Sequence, residues 1–175
     1  MAPGRQEETA DRLSPDELAR ACADAMWKED DASKGLGMQI VQIRPGEAVL
    51  AMTILPSMVN GHGIAHGGFI FTLADSAFAF ACNSHNQRAV AAQCNISFIR
   101  PGKLGDRLVA TAREISRSGR SGIYDVRVTA DETVIAELRG RGDTTGRLTS
   151  GGGAGEGAGR RSADPAGRVQ HSWAE

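Results

Sequence analysis

The chain lacks three things that would settle a function class at once: charge of one sign, a hydrophobic run of membrane length and a paired-cysteine motif. Its 20 Lys and Arg nearly balance 21 Asp and Glu, leaving a formal net charge of −1. No broad field therefore points to nucleic acid or to a strongly acidic partner. The longest apolar stretch, residues 69–82, is shorter than the roughly 20 residues a bilayer needs, and Asp75 and Ser76 interrupt it; no membrane span is expected. The opening MAPGRQEETADRL is polar and acidic where a secretory signal needs a basic start and an apolar stretch. A cytoplasmic protein with a flexible stretch over residues 1–13 is the expectation. Cys22, Cys82 and Cys94 are widely spaced in apolar contexts with no CxxC, so they read as reduced packing residues. No GxSxG nucleophile elbow occurs. His62 and His66 are four apart, but they precede the helix rather than ride on it, and no Glu accompanies them as in HExxH, so no metal site is expected.

What the chain does have is the segment Asn60 to Asp75, NGHGIAHGGFIFTLAD, a glycine-rich loop that runs into a helix. From Phe69 to Cys82 only Thr72, Asp75 and Ser76 are polar. A helix apolar on nearly every face is a buried helix. An ionised carboxylate on such an element costs several kcal/mol unless something pairs with it, hydrogen-bonds it or uses it. Asp75 is therefore the first functional candidate.

The rest of the chain supplies a framework for that helix. Ser14-Pro15-Asp16-Glu17 combines a serine cap, proline at the first helical position and glutamate three residues after the cap. It starts an amphipathic helix that runs to about Glu29, with Leu18, Ala21, Cys22, Ala25 and Met26 at helical spacing, and Gly35 and Gly37 follow it. Met38–Ile43 and Ala48–Leu55 form a hairpin about Pro45-Gly46. After the apolar helix, residues 90–99 alternate with the period of a strand. Three more strands follow at Arg107–Ile115, Ile123–Ala130 and Thr133–Leu138, divided by the turns Ser116–Gly122 and Asp131-Glu132. This order predicts an α+β fold, an antiparallel sheet wrapped around one long buried helix, over residues 14–145. From Gly146 the chain changes character: eight of the last thirty residues are glycine. Residues 146–175 are expected to form a disordered tail.

Gly67-Gly68 opens the apolar helix, whose first backbone N–H groups lack intrahelical partners and carry partial positive charge. That arrangement suits a carbonyl oxygen that becomes an oxyanion during acyl transfer, although a glycine pair also serves a plain tight turn. Asp75 lies eight residues beyond Gly67, about 12 Å along a helix, too far for one small acyl group to touch both. If both act on one carbonyl, they come from two subunits whose helices run antiparallel across a two-fold axis. Otherwise Asp75 is a structural acceptor. His66 takes an auxiliary place lining the pocket or bonding backbone. Asn60 either bonds a substrate carbonyl or fixes the loop. Arg117 and Arg120, in the basic turn, either contact phosphates or are simply solvated.

NGHGIAHGGFIFTLADSAFAFACN, followed by FIRPGKLGD and GIYDVRV, resembles the hotdog-fold thioesterases of bacterial phenylacetate degradation. The likeness covers about Ser14 to Gly142, with Asn60, HGG, LAD, RPG and the Tyr124-Asp125 pair in order. It implies a hotdog fold, homodimers that usually pair into tetramers, and hydrolysis of acyl-CoA thioesters without metal or bound cofactor; with the spacing argument, the dimers are expected to share their active sites. It further implies that Asp75 is base or nucleophile, that the Gly67 amide polarises the thioester carbonyl and that Asn60 assists; Gly68, Arg117 and Arg120 are the expected substrate contacts. The tail departs from the family pattern. The expected substrate is a (hydroxy)phenylacetyl-CoA. The rivals are a hydratase or dehydratase of acyl-CoA, which generally uses a histidine–carboxylate pair, and a non-catalytic acyl-CoA binding module.

Overall fold

The computed structural model describes residues 13–148, so the expectations for residues 1–12 and 149–175 lie outside the described part. Helix α1, Pro15–Glu29, starts as its sequence dictates: Ser14 Oγ accepts from the Glu17 N–H at 3.3 Å while Glu17 Oε2 accepts from the Ser14 N–H at 2.8 Å. It buries Ala19, Cys22 and Ala23. A short helix α2, Asp31–Gly35, was not anticipated. The glycines do end the helical region, but one turn later, because Asp30 Oδ1 recaps the chain by accepting from the Ser33 N–H. Ser33 Oγ then lies 3.0 Å from Ser76 Oγ and ties α2 to the central helix.

Six strands follow: β1 Gln39–Arg44, β2 Glu47–Thr53, β3 Gln87–Phe98, β4 Arg107–Ser118, β5 Ser121–Ala130 and β6 Thr133–Arg147. They form one antiparallel sheet in the order β1-β2-β4-β5-β6-β3. The central helix α3, Gly67–Asn83, touches all six. Leu73, Ala77, Phe78 and Ala81 on the helix meet Leu50, Leu108, Val126 and Leu138 on the sheet, all essentially free of solvent. Each large side chain so buried contributes about 1.5–3 kcal/mol.

Two readings of the sequence need correcting here. Strand β6 does not stop at Leu138 but continues to Arg147, so that Gly146 and Arg147, assigned to the tail, pair with Arg88 and Gln87 of β3. The glycines that broke the strand pattern admit the helix: a Cβ on Gly140 or Gly142 would stand 2.9 Å from the Phe78 ring or from Cys82 Sγ. The long turn Ser116–Gly122 likewise shrinks to Gly119-Arg120, with Gly119 at φ +58° and the Thr144 N–H donating to the Arg120 carbonyl at 2.7 Å.

The central helix is also not covered on every side within one chain. Gly68 is exposed, and Thr72, Asp75 and Ala79 along the same stripe are half-buried. Beside that stripe runs β3, an edge strand bonded only to β6. Asn83 pins its start to the helix end: the Asn83 Nδ2 donates to the carbonyls of Ala79 and Ala89, and its Oδ1 accepts from the Ala89 N–H. No helix among the described residues is long and apolar enough to cross a membrane.

Candidate active site

The loop before α3 is held by its own polar groups. Asn60 Oδ1 accepts from the N–H groups of His62 at 2.9 Å and Ile64 at 3.4 Å, an Asx turn that fixes the glycine-rich segment. The Ala65 N–H donates to the Gly102 carbonyl and the His66 N–H to the Met58 carbonyl, which docks the loop against the Arg100-Pro101-Gly102 connection. The loop-fixing alternative for Asn60 is thus what its oxygen does in this structure.

His66 caps α3. Its Nδ1 accepts from the Gly68 N–H at 3.0 Å, which requires a neutral ring with the proton on Nε2. The Gly68 amide is therefore occupied, and it is the Gly67 N–H that has no acceptor among the described residues. As a donor for a substrate carbonyl, Gly67 qualifies and Gly68 does not. The remaining contribution of Gly68 is its bare backbone, open to close approach.

Asp75 sits half-buried on the stripe that α3 leaves open, with Cys94 Sγ 3.9 Å from its Oδ1. Burial pushes the Asp75 carboxyl above the ordinary carboxylate range, and the thiol contact partly offsets this. The Cys94 thiol is itself pushed up, by burial and then by the neighbouring carboxylate, so it remains protonated and acts as the donor. A second neighbour stands at the other end: the Phe98 ring lies over Gly67, its Cζ 3.0 Å from where a Cβ would be.

These two contacts measure the site. From Phe98 back to Cys94 is four strand residues, about 13 Å, while Gly67 to Asp75 is eight helical residues, about 12 Å. Strand and helix run side by side with matching lengths, so within one chain the carboxylate and the free amide stay about two helical turns apart, too far to share one carbonyl.

The basic turn is less free than its sequence implies. Arg117 Nε lies 3.8 Å from Glu114 Oε2 and its Nη1 donates to Gln87 Oε1 at 3.5 Å. Glu114 Oε2 also receives the Tyr124 hydroxyl at 2.9 Å and contacts His85 Nε2 at 2.8 Å, a polar cluster under the C-terminal end of α3. Arg120 is exposed in the turn. Among the described residues no group of three or more His, Cys, Asp or Glu is placed to hold a metal.

The family model of the thioesterase superfamily matches residues 62–137. The chain is 42% identical over 130 residues to acyl-coenzyme A thioesterase PaaI of Escherichia coli K12, covering 74% of this chain and 93% of that protein. This chain belongs to the thioesterase superfamily.

Solved structures agree. The E. coli PaaI protein from the phenylacetic acid degradation operon superposes with a TM-score of 0.75 at 41% identity, covering 77% of this chain and 98% of that one. A Streptococcus mutans protein bound to acetyl CoA superposes with a TM-score of 0.61 at 29% identity, covering 63% and 90%. The hotdog fold and an enzyme of the thioester hydrolase class follow from this membership. Within this thioesterase, sequence reasoning singled out Asp75, Gly67, His66 and Asn60 but missed Cys94 and Phe98. The only signal for either was the alternation that puts Cys94, Ile96 and Phe98 on one face of β3. His66 bonds the Gly68 amide rather than Asp75, so these two do not form the histidine–carboxylate pair of a hydratase.

Proposed function

We propose that this thioesterase hydrolyses acyl-CoA thioesters to free acid and CoA, taking aryl-acyl groups of the (hydroxy)phenylacetyl kind, as a cytoplasmic enzyme of phenylacetate catabolism. The observation that carries the reading is the half-buried carboxylate of Asp75, the only charged group on α3, with an unclaimed helix-start amide at Gly67. The acyl-CoA assignment draws support from the name of the E. coli relative and from the acetyl CoA bound to the S. mutans structure. The aryl assignment draws support from the operon of the E. coli protein.

The site is completed by a second copy. Pairing β3 with its two-fold mate would set the α3 helices antiparallel, so that Asp75 of one subunit faces Gly67 of the partner subunit, and two such dimers would pair into a tetramer. The Gly67 N–H donates to the thioester carbonyl oxygen and favours the oxyanion that develops there. Asp75 then removes a proton from the water whose oxygen attacks the carbonyl carbon, the C–S bond breaks, and CoA leaves as thiolate to take up a proton. Alternatively the carboxylate attacks first and expels CoA as thiolate, giving a mixed anhydride that water opens to the free acid and Asp75. Cys94 holds Oδ1 and leaves Oδ2 to act, while burial gives the carboxylate a pKa nearer the working pH of a base. His66 fixes the first helical turn, Asn60 the loop, and Arg120, with Arg117 more tightly held, offers a guanidinium to the CoA phosphates.

A thiol-release assay over aryl and alkyl CoA esters tests this directly. Release of CoA, fastest from phenylacetyl-CoA and its hydroxylated relatives, is the expected result. Binding without release would instead mark a non-catalytic module, and water addition to an unsaturated acyl-CoA that disappears in His66→Ala would mark a hydratase.

A further inference from the structure

Phe98 closes β3 with its backbone locked and its ring only half covered. The residue pairs with Ala136, and the next N–H, of Ile99, donates to the Ile135 carbonyl at 2.8 Å, yet the side chain keeps 52% of its surface in solvent. One neighbour of the covered part is Gly67. The Phe98 Cζ, Cε1 and Cε2 lie 3.0–3.5 Å from where a Cβ on Gly67 would stand, so any side chain at position 67 would push the ring away. The helix-start glycine therefore does two things: it bares an amide and it seats an aromatic ring beside that amide. Phe69 stands half-buried in the first turn of the helix, with the His66 ring edge-on to it at 6.1 Å.

The chemistry of this corner selects among acyl groups. A carbonyl oxygen held at the Gly67 N–H fixes the carbonyl carbon next to the Phe98 ring. In an arylacetyl group the substrate's own ring hangs one methylene from that carbon, within the 4.5–7 Å centroid spacing at which aromatic rings attract one another. A straight acyl chain gains apolar contact there but no ring pairing. We propose that Phe98 is a specificity-determining residue whose ring packs on the aryl ring of the acyl group and favours arylacetyl over straight-chain acyl thioesters. This rests on the thioesterase reading above. Because Phe98 and Gly67 touch within one chain, the ring-recognising surface and the polarising amide come from the same subunit, while Asp75 and Cys94 come from the other.

The test compares kcat/KM for phenylacetyl-CoA and hexanoyl-CoA in the wild-type protein, Phe98→Leu, Phe98→Met and Phe98→Tyr. The aryl-to-alkyl ratio should fall roughly two- to tenfold in the Leu and Met variants, the worth of one aromatic pair, and hold in the Tyr variant. Two aliphatic variants guard against one that folds poorly. An unchanged ratio in the aliphatic variants, with both esters slowed alike, overturns the role of Phe98 and leaves the thioesterase reading standing. Wild-type protein that cleaves neither ester removes the thioesterase reading and this inference together.

Discussion

The sheet has two edges, and they are built differently. Strand β1 is six residues long, its pairing with β2 slips between Ile40 and Gln42, and α1 packs along it with Trp27 and Ala23. Strand β3 is twelve residues long, slips twice against β6, at Arg88/Ala89 and Ala91/Gln93, bonds no other strand and exposes Val90 and Phe98, with Ile99 following. A short edge is a poor template for another strand, whereas a long one with exposed apolar side chains is a good one. The long edge is also the one that flanks Asp75 and Gly67. On this account the molecule leaves open the side where its site needs a second copy, and blunts the other.

The largest expected effect is at the carboxylate. Asp75→Asn should cut turnover by about a hundredfold or more while the protein stays folded. Its stability effect has a definite sign. Burial raises the folded-state pKa of Asp75, so the folded protein holds that proton more tightly than the unfolded chain, and ionisation costs stability above that pKa. The Asn variant should melt higher than wild type at pH 7. That gain should vanish once the pH falls below the ordinary carboxylate pKa. Thermal melts at the two pH values check it; activity within a few-fold of wild type would remove Asp75 from the mechanism.

The two edges offer a matched pair, since Val41 is 54% and Val90 53% exposed. Val90→Lys should drive the assembly toward monomer and lower turnover at least about tenfold, whereas Val41→Lys, a surface change away from the site, should stay within about twofold. Light scattering with an activity assay reads both. Equal behaviour of the two variants would erase the distinction between the edges.

Cys94→Ala removes the donor that partly offsets burial at Asp75, so the acid limb of the pH–rate profile should move to higher pH, with kcat/KM about two- to fivefold lower, the scale of one modest hydrogen bond. Cys94→Ser should move the limb back. A drop in rate with no shift of the limb would mean that the thiol only fills space. The smallest effect is expected at Arg120, where an exposed charge is worth up to about 1 kcal/mol. Arg120→Glu should raise KM for CoA esters and leave a short non-CoA thioester untouched; equal loss on both would argue that the turn is structural.

Much of this fold was legible because the signals are local. The capping box of Ser14 and Glu17, the Pro45-Gly46 turn and the apolar run around Asp75 each announce themselves within a few residues. What escaped depends on partners distant in sequence. Gly140 and Gly142 look like strand breakers until Phe78 and Cys82 are seen packing on them, and Ser116–Gly122 looks like a long turn until Thr144 is seen bonding Arg120. The site divides the same way. Asp75 and Gly67 stand out on one helix, but Cys94 meets Asp75 only through the register of β3 beside α3, and nothing in residues 90–99 says that their strand lies at an edge.

The central claim is that each site draws on two chains, and mixed dimers test it most directly. One inactive parent is Asp75→Ala. The other is Gly67→Pro, which removes the amide yet suits a first helical position, and whose preceding residue His66 already has the extended ψ of 130° that proline demands. Its Cβ would meet the movable tip of the Phe98 ring, at 3.0 Å. Each homodimer should be inactive. In a mixed dimer one site joins the intact carboxylate of the proline chain to the intact amide of the alanine chain, while the other site has neither. Co-refolded mixtures should therefore regain activity approaching one working site per mixed dimer. Mixed dimers that form from folded chains and remain inactive would contradict the shared site and place the chemistry of Asp75 within its own chain.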